Sequence, residues 1–140
     1  MSAAAKTLSI DEMRERLAPL FKEAELQIVL LFGSLASKKG HRGSDIDLAF
    51  LFDRPIDILS LTNKVIQLLH DDKVDVIDLR RGSPILNFSA ARQGRVLYER
   101  SEGLFHAFYS LAFRRYADTR KMRDARGKTI KNFLERKGLI

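Results

Sequence analysis

Apolar residues recur along this chain in two rhythms, and each rhythm predicts a different element. Met13, Leu17, Leu20 and Phe21 follow one another at helical spacing, which is typical of one face of a helix. The run 26–32 is instead apolar at almost every position and rich in β-branched and aromatic residues, as in a buried strand. The chain therefore alternates helical and strand patterns.

The predicted order of elements is α-β-β-α-β-α-α, with a short edge strand before the last helix. Capping residues and glycines set the expected first and last residues of these helices and strands. The predicted elements are a helix from Ser9 or Asp11 to about Ala24, strands at 26–32 and 45–52, a helix at 58–70, a strand at 74–79, a helix from Ser83 to Gly94, an edge strand at 96–98, and a long helix from Gly103 that Gly127 interrupts.

Composition narrows the class of protein. With 140 residues and 45% hydrophobic content, we expect one globular domain with a core of its own. The chain has no cysteine, which excludes disulfides, thiolate catalysis and cysteine-zinc sites. The N-terminus lacks a signal-type apolar segment, and no apolar run reaches membrane-spanning length. We therefore expect a soluble, cytoplasmic protein without a membrane partner.

The net charge of +7 is confined to the C-terminal tail. Residues 114–140 carry ten Lys or Arg against three Asp or Glu, so the first 113 residues are neutral. Such a tail is either a solvated face, a docking surface for a partner, or a nucleic-acid contact. An aromatic stripe precedes it and indicates core packing or a homo- or hetero-oligomeric interface; its members are Phe105, Phe108, Tyr109, Phe113 and Tyr116.

A candidate phosphate-binding turn follows the first strand. Gly33 permits a sharp turn that brings backbone N–H groups close to an anion, and Ser34 can cap a short helix after it. The loop that follows is basic and glycine-rich, and its cations are either solvated or neutralise phosphate; they are Lys38, Lys39, His41 and Arg42.

Two aspartates begin the second strand. Asp45 and Asp47 alternate with Ile46 and Leu48, so both carboxylates lie on one side of the strand, roughly 6–7 Å apart, while the apolar residues point into the core. Carboxylates placed in this way can bridge a pair of divalent ions that serve displacement at phosphorus. All the candidate ligands are oxygen atoms, so we expect two Mg²⁺ ions.

A third carboxylate is expected from the strand that begins at Val74. Asp75 and Asp78 lie on opposite faces of this strand, so only one of them can face the metals. Strand parity alone does not say which.

These motifs together resemble the minimal nucleotidyltransferase family of the DNA polymerase β superfamily. The resemblance rests on Gly33-Ser34, a ten-residue gap, Asp45-Ile46-Asp47 and the later strand 73–79, and it covers roughly residues 10–100. It implies that Gly33, Ser34 and Ser44 bind the nucleotide. It also implies that Asp45, Asp47 and Asp75 are catalytic and bind the metals, which favours Asp75 over Asp78.

The resemblance also implies a fold and a reaction. The fold is α/β, or α+β in stricter terms, with a small mixed sheet and helices packed against one face. A nucleotidyltransferase domain would span 1–100, and a basic helical extension would span 101–140. In the reaction, an acceptor hydroxyl attacks the α-phosphorus of a nucleoside triphosphate, with ATP as the expected donor.

Stand-alone members of this family often pair with a helical HEPN-type ribonuclease toxin and add AMP to one of its tyrosines. The resemblance thus implies an antitoxin that modifies such a partner. Two alternatives stay open: a module that neutralises its partner by contact without catalysis, and a transferase that acts on RNA or a small molecule.

Overall fold

A four-stranded mixed sheet organises the chain in the computed structural model, which describes residues 8–32 and 46–138. The strand order is β3-β2-β1-β4. The elements are α1 (Ile10–Phe21), β1 (Leu26–Phe32), β2 (Ile46–Phe52), α2 (Ile58–Leu69), β3 (Val74–Asp78), a 3₁₀ turn (Leu79–Arg81), α3 (Pro84–Gln93), β4 (Arg95–Glu99), α4 (Leu104–Asp118) and α5 (Arg120–Arg136). The α/β class and the predicted order of elements are confirmed.

The strand pairing gives the sheet two distinct ends. β1 is antiparallel to both β2 and β4, whereas β2 and β3 are parallel. Parallel neighbours need a crossover connection, which α2 supplies. As a result, the last residue of β1 and the first residues of β2, β3 and β4 all lie at one end of the sheet. Asp47 and Asp75, two of the predicted catalytic residues, lie there, and we refer to it as the catalytic end.

Helices cover both faces of the sheet, so the expectation of helices on one face was wrong. α1 and α2 pack with Val29, Leu31 and Phe50 in one cluster of buried residues. α3 and α4 pack with Ile28 and Leu30 in a second cluster on the opposite face. The continuous apolar run of β1 explains this arrangement, because consecutive strand residues alternate faces and each apolar face has to be covered.

Side-chain caps fix where the helices begin. Ser9 and Glu12 form a reciprocal capping box at the start of α1. Asp57 caps α2, and hydrogen bonds from the backbone N–H and the hydroxyl of Ser60 hold the pKa of that carboxyl below its ordinary value. Ser83 caps α3, and Pro84 occupies the first turn, where its missing N–H costs no hydrogen bond.

The predicted break in the long C-terminal helix lies at a different residue. α4 ends at Asp118 and α5 begins at Arg120, so the interruption is at Thr119, while Gly127 lies inside α5. The Thr119 hydroxyl donates to the backbone oxygen of Tyr116 at 2.6 Å, and the Arg123 guanidinium bonds to that same oxygen at 3.2 Å. The backbone N–H of Thr119 donates to that oxygen as well, at 3.0 Å, so three donors meet one carbonyl at the end of α4.

α5 contributes no buried residue and carries most of the basic tail. Met122, Ile130 and Phe133 are exposed apolar residues on it. Over the described parts of the chain, no helix is both long enough and apolar enough to cross a membrane.

Two glycines give a test of this fold. A Cβ at Gly94 would lie 2.4 Å from the Ala90 oxygen and 3.4 Å from the Leu30 Cβ, whereas nothing lies within 4 Å of a Cβ at Gly127. We expect Gly94→Ala to lower the free energy of unfolding by about 1–3 kcal/mol. Gly127→Ala should raise it by about 0.5–1 kcal/mol, because alanine costs less conformational entropy inside a helix.

Urea unfolding monitored by circular dichroism measures both changes. If Gly127→Ala destabilised the protein as much as Gly94→Ala does, residue 127 would not lie inside an open helix.

Candidate active site

Asp47 and Asp75 lie side by side at the catalytic end of the sheet. β2 and β3 run parallel, and the two aspartates are register partners across them. Neighbouring strands are about 4.8 Å apart, and register partners on adjacent strands share a face. Two carboxylates from distant parts of the sequence therefore point to the same side of the sheet.

The hydrophobic pattern determines which side this is. Ile46 and Leu48, the neighbours of Asp47, are 3% and 0% exposed in the core beneath α1 and α2. Ala49 and Ile77, which share the face of the aspartates, belong to the cluster beneath α3 and α4. The prediction that Ile46 and Leu48 point into the core is confirmed. Asp47 is half-buried and Asp75 is exposed, so a ligand in solvent can reach both.

Asp78 lies elsewhere and has a different role. Its register partner is Phe50, which packs on the opposite face beneath α1 and α2. Its Oδ1 accepts a hydrogen bond from the backbone N–H of Arg80 at 3.0 Å and thereby caps the 3₁₀ turn. Of the two alternatives for the third carboxylate, only Asp75 lies beside Asp47. Its role as a metal ligand stays a prediction.

The other predicted site residues lie outside the described part of the chain. These are Gly33, Ser34, Ser44 and Asp45, together with the basic loop between them. The flanking residues are described, and Phe32 at the end of β1 is the register partner of Asp47. β1 therefore ends, and β2 begins, at the catalytic end.

The donor set fits a hard divalent cation. Carboxylate oxygens on adjacent strands are the ligands that Mg²⁺ prefers in proteins. Within residues 8–32 and 46–138, no three acidic or histidine side chains group as a metal site. A complete site of three carboxylates would therefore need Asp45, which directly precedes β2.

A cavity of about 460 Å³ lies at the opposite end of the sheet and does not include the aspartates. Phe52 at the end of β2 lines it, with Leu20 from α1 and Leu61 from α2. Its charged rim includes Arg54, which lies 3.9 Å from a carboxylate oxygen of Glu23 and is engaged in the fold. This cavity lacks the paired carboxylates of the catalytic end.

Two arginines that the sequence analysis did not single out lie near this end of the chain's sheet, although strand register puts Arg95 on the face of Leu31, opposite that of Asp47. Arg92 lies in the last turn of α3, and Arg95 begins β4. The sequence contained a hint of this position, because Arg92 and Arg95 lie on either side of Gly94, which directly precedes the predicted edge strand. Strand pairing was needed to show which end of the sheet they occupy.

The sequence matches the family described as polymerase beta nucleotidyltransferase over residues 15–103. A curated relative, the protein adenylyltransferase MntA of Aphanizomenon flos-aquae, is 29% identical over 96% of this chain and 98% of its own. The protein of the same name from Shewanella oneidensis is 38% identical over 53% of this chain and 55% of its own.

Solved structures share the fold. A crystal structure described as a toxin–antitoxin with AMP-PNP has a TM-score of 0.75 at 27% identity and covers 89% of this chain and 99% of that one. Another contains a tri-AMPylated HEPN toxin of Shewanella oneidensis with its MNT antitoxin. It has a TM-score of 0.72 at 23% identity and covers 88% of this chain and 99% of that one. These neighbours confirm a polymerase β-like fold.

Divalent-ion binding tests the assignment of the carboxylates. We expect Asp47→Asn and Asp75→Asn each to weaken Mn²⁺ binding by about tenfold or more, because each removes a charged oxygen ligand. Asp78→Asn is the matched control and should bind Mn²⁺ as the wild type does, since Asp78 faces the other side of the sheet.

Isothermal titration calorimetry with Mn²⁺ as the probe measures all three variants. Stronger loss of binding in Asp78→Asn than in Asp75→Asn would reverse the assignment.

Proposed function

The chain belongs to the polymerase beta nucleotidyltransferase family, and from this we propose that it transfers a nucleoside monophosphate from a nucleoside triphosphate to a hydroxyl group. The observation that carries the proposal is the pairing of Asp47 with Asp75 on one face of the family's sheet, at an end where Asp75 is exposed. We infer that the donor is ATP and that the acceptor is a tyrosine of a HEPN-type toxin, so that the chain acts as an antitoxin.

We assign each step of the reaction to particular residues. Gly33, Ser34 and Ser44 would hold the triphosphate, while Asp45, Asp47 and Asp75 would hold two Mg²⁺ ions. When bound, these ions would neutralise charge on the reacting phosphate and the leaving group. Asp75 takes the proton of the acceptor hydroxyl. The acceptor oxygen bonds to the α-phosphorus. The bond between the α-phosphorus and the oxygen that bridges to the β-phosphate breaks, and pyrophosphate leaves.

A protein acceptor is supported by the extent of the similarity. The MntA relative from Aphanizomenon is named a protein adenylyltransferase, and this chain matches 98% of its length. A relative of nearly the same length as this chain is thus named as an enzyme that modifies a protein. The donor ATP is supported by a structural neighbour described with AMP-PNP, an ATP analogue.

The C-terminal region supports a macromolecular partner. α5 has no buried residue and combines basic side chains with the exposed apolar residues Met122, Ile130 and Phe133. A helix that exposes both basic and apolar side chains suits a protein partner better than a nucleic acid, which would be bound mainly through charge. We place a nucleotidyltransferase domain at 1–100 and a partner-facing extension at 101–140, in a protein that works in the cytoplasm.

Label transfer tests the proposed reaction. We expect α-labelled ATP with Mg²⁺ to label one small helical protein in a lysate of the native host. Asp47→Asn should lower that labelling by at least about a hundredfold, because it removes charge stabilisation at the reacting phosphate. Asp53→Asn is the matched control, since Asp53 lies just beyond the opposite end of β2, and it should label as the wild type does.

The other outcomes identify the alternatives. Label in RNA or in a small molecule would make this a transferase with another acceptor. No label in any fraction, although a partner binds the chain, would favour neutralisation by contact alone.

A further inference from the structure

We propose that an extended segment of the acceptor protein pairs with the outer edge of β3 and places its tyrosine beside Asp75. This inference rests on the proposed function and adds to it the surface that holds the acceptor during transfer. The acceptor would thus be recognised by backbone hydrogen bonds next to the active site, in addition to any contact that it makes with α5.

The outer edge of β3 is open. In the sheet order β3-β2-β1-β4, β3 is the first strand and pairs with β2. Within the described part of the chain, no group bonds to the backbone of Val74 or Val76 from the outer side. The opposite edge differs, because the Arg14 guanidinium donates to two backbone oxygens of β4, at 3.0 Å each. An open edge of this kind is a template for a further strand.

The hydrogen bonds to β2 show which backbone groups of β3 point outward. The backbone N–H of Ile46 donates to the oxygen of Lys73 at 2.9 Å. In the parallel register that follows, Asp75 also directs its N–H and C=O toward β2. Consecutive strand residues direct these groups to opposite sides, so Val74 and Val76 direct theirs away from β2. Val76 is half-buried and Asp75 is exposed, so a segment in solvent can reach this part of the edge.

A segment on this edge would bring one of its side chains next to Asp75. Register partners on neighbouring strands share a face of the sheet. In an antiparallel segment, the residue opposite Asp75 takes a non-hydrogen-bonded position, where the two Cα atoms are about 4.5 Å apart. A tyrosine at this position would point to the face of Asp47 and Asp75. Its side chain is longer than that of aspartate, so its hydroxyl would lie over the carboxylate that takes its proton.

The face of the sheet beside Asp75 leaves room for that tyrosine. Ile77, two residues further along β3 and on the same face, packs in the cluster beneath α3 and α4. Asp75 itself is exposed, so the cover that these helices provide stops before the catalytic end. An acceptor side chain can therefore enter from the side of β3 without displacing a helix.

Charges at the two ends of β3 favour the antiparallel orientation for a segment of suitable charge. Asp71 and Asp72 precede the strand at the catalytic end, and the exposed Arg80 and Arg81 follow it at the other end. A segment with acidic residues before its tyrosine and basic residues after it would meet opposite charges at both ends. The occupant that fits this edge is thus a short extended segment with a central tyrosine and this order of charges.

A purely structural interpretation of this edge predicts a different behaviour. β3 has five residues and charged residues at both ends, features that keep an edge strand from pairing with other chains. In that case the Val76 amide would exchange with solvent equally fast with and without the acceptor. Removal of that N–H would then leave transfer unchanged.

Hydrogen exchange at single amides, measured by NMR on the full chain, tests the pairing. In the free chain we expect slow exchange at Asp75, which bonds to β2, and fast exchange at Val76. The protein that the wild type labels is then purified and added with Mg²⁺ and a non-hydrolysable ATP analogue. It should slow exchange at Val76 by at least about tenfold, because a bonded amide is protected. The Asp75 amide is the internal control.

Val76→Pro tests whether the same N–H is used in transfer. Proline lacks this donor and is tolerated on an edge strand where the N–H faces solvent. We expect labelling at low acceptor concentration to fall by about tenfold and to recover in part at saturation, because the variant weakens acceptor binding. Calorimetric binding of ATP and of Mn²⁺ should match the wild type. Val76→Thr keeps the N–H and the β-branched shape, so it is the matched control and should keep its labelling.

The outcomes separate this inference from the proposed function. A wild-type chain that labels no protein contradicts the proposed function itself. Labelling by the wild type without slower exchange at Val76 overturns the pairing with β3 alone, and so does full labelling by Val76→Pro. Equal slowing at Asp75 and Val76 would indicate general stabilisation and would overturn it too. If Val76→Pro does not fold, the exchange measurement on the wild type decides.

Discussion

The in-register parallel pairing of β2 with β3 is the constraint on which the rest of this structure depends. It places Asp47 directly beside Asp75 and sets Asp78 against Phe50. A slip of one residue would send Asp75 to the opposite face of the sheet and remove the pair. Burial prevents the slip, because Val74 and Ile46 have to stay in the core beneath α1 and α2 while Ala49 and Ile77 stay beneath α3 and α4.

The buried centre of the same sheet differs from its exposed catalytic end. Its central strands are covered on both faces, and Phe50 is fully buried. At the catalytic end, Asp75 stays exposed and β1 stops at Phe32, just before Gly33 and Ser34, which are predicted to bind phosphate. On the outer edge, Arg14 bonds to two carbonyl oxygens of β4 and so blocks part of an edge that could pair with another strand. The sheet thus presents the predicted metal ligands Asp47 and Asp75 where one strand ends and its neighbours begin.

Much of this arrangement was predictable from local patterns. The elements, their caps at Ser9, Asp57 and Ser83, and the inward direction of Ile46 and Leu48 follow from periodicity and capping chemistry. The helices on both faces were missed, although the apolar run of β1 contained that signal. The break at Thr119 depends on side-chain bonds from Arg123 to the preceding turn, which no periodicity shows. The choice between Asp75 and Asp78, and the position of Arg95, required the register between strands that are distant in sequence.

Anomalous diffraction from crystals grown with Mn²⁺ and a non-hydrolysable ATP analogue tests the central claim most directly. The account predicts Mn²⁺ within bonding distance of carboxylate oxygens of both Asp47 and Asp75, with the nucleotide bound at the same end of the sheet. Mn²⁺ bound on the side of Asp78, or a nucleotide bound at the far end of the sheet near Phe52, would contradict it.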